Sequence, residues 1–122
     1  MFDNSVNTQD PYLQRAIDAE IEHLRALSST KDLLLASSNR GAYEALLHII
    51  RAGKVGMPVY EAVSCVGSAP SSHSGILLRL RSMRAAGIID DVPGNKRSNV
   101  NLRASDEIVA ALAPILMRWS AN

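Results

Sequence analysis

Between residues 71 and 89 the chain reads "SSHSGILLRLRSMRAAGII", and this stretch narrows the possible folds more than any other. Ile76, Leu80 and Met83 fall at i, i+4 and i+7, a spacing that sets one apolar row along a helix. Three serines, a His and a Gly precede the row, and Gly87 stops it. Ile88 and Ile89 follow at once as a β-type pair. Residues 88–92 ("IIDDV") and 98–104 ("SNVNLRA") then read as two short strands, joined by the turn-forming "PGNKR". A helix cut off by glycine and passed directly into a hairpin must lie close to that hairpin.

The rest of the chain is helical in pattern. Residues 11–28 place Leu13, Ala16, Ile17, Ile21, Leu24 and Leu27 on one stripe, with Asp10 as a cap and Pro11 in the first turn. A short apolar run from Leu33 to Ala36 predicts a brief helix or turn. Residues 42–52 ("AYEALLHIIRA") predict a buried helix ended by Gly53, and residues 59–67 a further short helix behind Pro58, ended by Gly67. Ser105 followed by Asp106 and Glu107 gives a cap with acids in the first turn. The stripe Ile108, Leu112, Ile115, Leu116, Trp119 makes the last helix, with a kink expected at Pro114. The fold class is therefore mainly α with a small β-hairpin, and no internal repeat interrupts it.

Two short helices around a turn, followed directly by a two-stranded hairpin, resemble the winged helix-turn-helix of bacterial regulators of the MarR and ArsR type. Ser72, Ser74, Ile76, Leu80, Met83, Ala86, Gly87, Ile88 and Ile89 carry the resemblance, which spans roughly residues 42–119. It implies one winged-helix domain over residues 1–122, with a DNA-binding core at 42–104, a recognition helix at 71–86 and a wing at 93–98. It also implies a homodimer formed by flanking helices 11–28 and 106–119, whose two-fold symmetry would match a palindromic site in double-stranded DNA. The function expected on this basis is a DNA-binding transcriptional regulator, a repressor.

The residues expected to meet DNA are Ser71, Ser72, His73, Ser74, Leu78 and Arg81 on the helix, with Asn95, Lys96 and Arg97 at the hairpin tip. If Ile76, Leu80 and Met83 face inward, a 100° step puts Ser74, Leu78, Arg81, Ser82 and Ala85 on the opposite face. Small serines at a helix start allow close approach to a phosphate or base edge, with unbonded amides pointing outward. Arg81 suits a guanine edge or a phosphate, and Arg79 and Arg84 flank the core row with their stems on apolar neighbours. Leu77 and Leu78 stand where those families carry polar, DNA-contacting residues. A leucine there fits a thymine methyl, or else an apolar patch on a protein–protein adaptor that binds no DNA, and both readings stay open.

Charge distribution accords with a basic contact surface. Residues 1–50 hold four Lys/Arg against seven Asp/Glu, whereas residues 51–122 hold nine against five. Residues 67–103 alone hold six Lys/Arg against two Asp, the balance expected where phosphates are neutralised and counterions released.

Other classes find little support. The chain of 122 residues is 47% apolar but only 4% aromatic, so its core must be aliphatic. No run of about 18 apolar residues is present to span a membrane, and the N-terminus lacks the order of a secretory signal, so a cytoplasmic protein is expected. Cys65 is the single cysteine and rules out an internal disulfide; in an apolar helix it reads as a small core residue. His23, His48 and His73 are scattered without metal-ligand spacing, and Glu20, Glu22 and Glu44 form no acid/base pair. With no nucleophile motif and no glycine-rich phosphate loop, neither enzyme activity nor a cofactor is expected. No residues single out a pocket for a small-molecule effector.

Overall fold

The computed structural model describes residues 7–68, 72–94 and 99–120, without the side chains of Trp119 and Ser120. Among these residues it has six α-helices and one two-stranded antiparallel sheet. The helices are α1 (Pro11–Leu27), α2 (Lys31–Ser37), α3 (Arg40–Arg51), α4 (Val59–Ser64), α5 (His73–Ala85) and α6 (Asp106–Ser120). The strands β1 (Ile89–Pro93) and β2 (Val100–Ala104) lie between α5 and α6, and a single 3-10 turn, Gly53–Val55, follows α3. The mainly helical chain with a small hairpin is thus present as expected. None of the described helices is long and apolar enough to cross a membrane.

Caps fix most of the helix starts. Asp10, Thr30, Asn39 and Ser72 each accept a first-turn amide of α1, α2, α3 and α5 respectively, and Ser105 does the same for α6 through Ile108 N–H. Each bond satisfies one of the donors that a helix leaves open at its N-terminus. The end of α5 is equally well defined. Gly87, at φ +79°, donates to the Arg84 carbonyl, and Ile88 N–H donates to the Met83 carbonyl at 2.9 Å. These are the paired bonds of a Schellman motif, which needs the left-handed backbone that glycine adopts without strain. The motif turns the chain so that Ile88 and Ile89 enter the core directly after the helix.

That core gathers around α3 and α5. Ala42, Ala45, Leu46 and Ile49 from α3 meet Ile76, Leu80 and Met83 from α5, with Ala62 and Val63 of α4 beneath them. Ile89, Leu102 and Ala104 close it from the hairpin, and Ile108 and Leu112 from α6. The apolar row read from the sequence in 71–89 is buried in full. Its side chains are all aliphatic or sulfur-containing, as the scarcity of aromatics required.

The sheet is more than a hairpin. In it Ile89 pairs with Ala104, Asp91 with Leu102 and Pro93 with Val100. Met57 adds an isolated antiparallel bridge on the far side of β2, exchanging bonds of 3.0 and 2.8 Å with Leu102. Gly56 makes this approach possible: its φ is +67°, and a Cβ there would lie 2.3 Å from the Leu102 carbonyl oxygen. Nearby, the Asn101 side-chain amide donates to the Val55 carbonyl at 2.9 Å, which accounts for its burial.

One expectation needs correcting. The helix expected over 59–67 ends at Ser64, so Gly67 lies beyond it, and Cys65 becomes its C-cap, exposed to solvent and not part of the core. The brief helix expected at 33–36 is present, running over Lys31–Ser37 behind the Thr30 cap. The last helix is present as expected, running over Asp106–Ser120 with Pro114 inside it.

Candidate nucleic-acid interface

The outward face of α5 carries the residues singled out for DNA contact. Ser74, Leu78, Arg81, Ser82 and Ala85 are all exposed, opposite the buried row. Leu78 retains 61% of its surface and Leu77, one residue earlier, packs against the core. The two leucines therefore differ: Leu77 is half-buried against the core, on the groove side of α5, and Leu78 faces out.

The serines are already engaged. Ser72 Oγ accepts from Gly75 N–H at 3.1 Å as the cap of α5, and it lies 3.2 Å from Ser74 Oγ. Ser82 Oγ donates back to the Leu78 carbonyl at 3.3 Å. His73 begins the helix and is exposed. Ser71, Asn95, Lys96 and Arg97 lie outside the described residues.

Arginines on this side divide into paired and unpaired. Arg84 forms an ion pair with Asp91 on β1, and Arg103 lies 3.7 Å from Asp90. The two aspartates of the hairpin are thereby matched to two of the arginines that the sequence counted as phosphate-facing. Among the described residues, Arg79 and Arg81 have no acidic partner within ion-pair distance, and both are exposed. On α5, the arginines without an acidic partner thus narrow to these two guanidinium groups.

Between α5, α4 and the inner face of the hairpin runs an open groove of about 320 Å³. Leu77, Arg81 and Arg84 form one wall, Tyr60 the second, and Asp91 and Val100 the third. Tyr60 is 77% exposed at its edge.

A residue to which the sequence reading gave no structural role, Glu44, holds the chain that leaves α4. The Glu44 carboxylate, on α3, accepts from the backbone amides of Gly67 (3.0 Å) and Ser68 (2.9 Å) and from His48 Nε2 at 3.1 Å. Arg51 in turn donates to His48 Nδ1 at 2.7 Å. The Ser68 hydroxyl, the Gly67 amide and the His48 ring together hold the carboxyl down to about 2, well below its ordinary value of 4.5. Only the Glu44–His48 spacing of i, i+4 was visible in the sequence; the backbone that Glu44 holds lies 23 residues further on.

No protein-family model matches the chain, and no curated protein or solved structure matches it either.

The terminal helices leave apolar surface uncovered. Of the stripe on α1 only Leu27 is buried; Ile17, Ile21 and Leu24 are 40%, 39% and 55% exposed. On α6, Ile108 and Leu112 enter the core, while Val109 and Met117 face outward. The two helices touch, with Arg118 donating to Glu22 at 2.9 Å. Among the described residues, no group of three or more His, Cys, Asp or Glu is placed to hold a metal ion.

Proposed function

We propose that the chain is a winged helix-turn-helix regulator of transcription, a repressor, that binds double-stranded DNA as a homodimer. The observation that carries this reading is the order of α3, Met57, α4, α5, β1 and β2. A helix pair is followed by a hairpin whose second strand pairs back to the segment ahead of that helix pair. This leaves α5 with a buried inner row and an outer face whose only charged side chain is Arg81. In such an arrangement α5 enters the major groove and residues 93–98 reach the neighbouring backbone. The exposed stripe of α1, beside α6, suits an isologous contact with a second copy, which would present two α5 helices to one duplex. A cytoplasmic location accords with this role, and neither catalysis nor a cofactor has a part in it.

Titration of duplex DNA at several salt concentrations tests the proposal. Affinity should fall linearly on a log–log plot, by a slope of about −0.9 for each phosphate neutralised. An Arg81→Ala/Arg97→Ala double variant should bind more weakly and with a shallower slope. No duplex binding even at low salt would overturn the reading.

A second reading has one observation in its favour. Tyr60 and Val100 expose apolar surface at the groove and Leu78 exposes more on the outer face of α5, as a protein-binding adaptor would. A Leu78→Glu substitution that abolishes a protein complex, in a chain that never binds duplex DNA, would establish it.

A further inference from the structure

We infer that Leu78 is a base-reading residue, selective for the 5-methyl group of thymine, and that it works beside Arg81 reading guanine. The inference rests on the proposed binding of duplex DNA and names what the duplex must contain.

The outer face of α5 is nearly bare. Ser74, Ser82 and Ala85 are short side chains that let a helix lie deep in a groove, and the hydroxyls of Ser72, Ser74 and Ser82 are turned back on the helix or on one another. Two side chains rise above this floor, Leu78 and Arg81. Leu78 takes no part in the groove lined by Leu77 and Tyr60, and it has 61% of its surface open. Its isobutyl group can offer a base edge only apolar contact.

Major-groove chemistry identifies the match. Thymine alone of the four bases carries a methyl group on that edge, and guanine alone presents the O6/N7 acceptor pair that suits a guanidinium. Leu78 and Arg81 are three residues apart, on the same side of the helix and about 4.5 Å apart along its axis. Successive base pairs rise about 3.4 Å. With α5 laid along the groove, the two side chains are close enough to meet neighbouring base pairs, and Arg81, which has no acidic partner among the described residues, has its guanidinium available for the second. The positive charge of Arg79 and Arg81 fits a polyanion better than an apolar protein surface.

The experiment begins with selection of duplexes from a random pool by the full chain. The selected half-site should contain a thymine next to a guanine or one step removed. In the selected duplex that thymine is then replaced by deoxyuridine, which pairs identically and lacks only the methyl. Binding by the wild type should weaken about fourfold per half-site, the equivalent of one buried methyl group. Binding by Leu78→Ala should be the same for both duplexes, and selection with that variant should lose the thymine while keeping the guanine. Because Leu78 is exposed, an unchanged circular dichroism spectrum should confirm that the variant is folded. Deoxyuridine bound as tightly as thymine, or a thymine retained by Leu78→Ala, would overturn the inference and leave duplex binding standing. Failure of every duplex to bind would overturn both.

Discussion

Helices α1 and α5 look alike as sequence and behave oppositely as structure. Each has an apolar stripe at helical spacing and a polar cap ahead of it. In α5 the stripe is buried to within 2% of its surface, whereas in α1 three of its large residues keep about half of theirs. Periodicity specifies which side of a helix is apolar and is silent on what covers it. The covering is decided by position: α5 is packed by α2, α3, α4 and β1, whereas α1 packs mainly against α2 and α6. An apolar stripe at the margin of a small domain is a surface that can be shared with another molecule.

The sharpest test of this contrast is truncation of matched residues. Leu80→Ala, in α5, should destabilise the chain by about 3 kcal/mol, since the side chain is only 2% exposed and packs in the core. Leu24→Ala, in α1, should cost under about 1 kcal/mol when measured at concentrations too low for association. Urea denaturation of the two variants measures both, and equal losses would erase the distinction. Charge placed on the same stripe gives the next effect: Ile21→Glu/Leu24→Glu should leave the urea midpoint of the monomer nearly unchanged and convert a dimer to a monomer in sedimentation. A wild type that sediments as a monomer at micromolar concentration would remove the dimer from the proposal.

The caps extend the comparison to a smaller scale. Ser72→Ala removes the acceptor for Gly75 N–H and should cost about 1 kcal/mol, because unwinding the start of α5 also loosens Ile76. Asp10→Ala should cost less, since the first turn of α1 holds nothing buried. The smallest effect concerns acid. Glu44 binds its proton less readily in the folded chain, so its contribution is complete above its ordinary value of 4.5 and is lost as pH falls towards about 2. The urea midpoints of wild type and Glu44→Gln should therefore stand apart at neutral pH and converge across that window. A separation that persists unchanged at pH 2 would show that the carboxylate charge has no part in holding Gly67 and Ser68.

What could be read from the sequence follows from the range of the interactions. The row Ile76–Leu80–Met83, the stop at Gly87 and the order of elements are local, and each was legible because a helix or turn depends on residues within one or two turns. Cys65 was misplaced because the end of α4 depends on a carboxylate from α3 drawing away the amides of Gly67 and Ser68. The pairing of Arg84 with Asp91 was hidden in the same way, and counting charges along the chain overstated the positive surface. At the site itself, sequence placed Leu78 and Arg81 together on one face, which the fold bears out. The 100° step that puts Leu78 on that face leaves Leu77 off it, and the structure packs Leu77 against the core while Leu78 stays exposed.

The bridge between Met57 and Leu102 has a consequence for how the molecule opens. It ties the chain just ahead of α4 to the chain beyond β1, so that α4, α5 and the first strand form a ring closed by two backbone bonds. A fluctuation that frays α1 or the end of α6 stops at this clasp, and one inside the ring cannot spread outward while it holds. Hydrogen exchange should accordingly find the amides of Met57 and Leu102 leaving together, at the free energy of global unfolding, while those of α1 exchange earlier and independently. The clasp makes the interior of the protein one cooperative body and its N-terminal helix a second, separately released one.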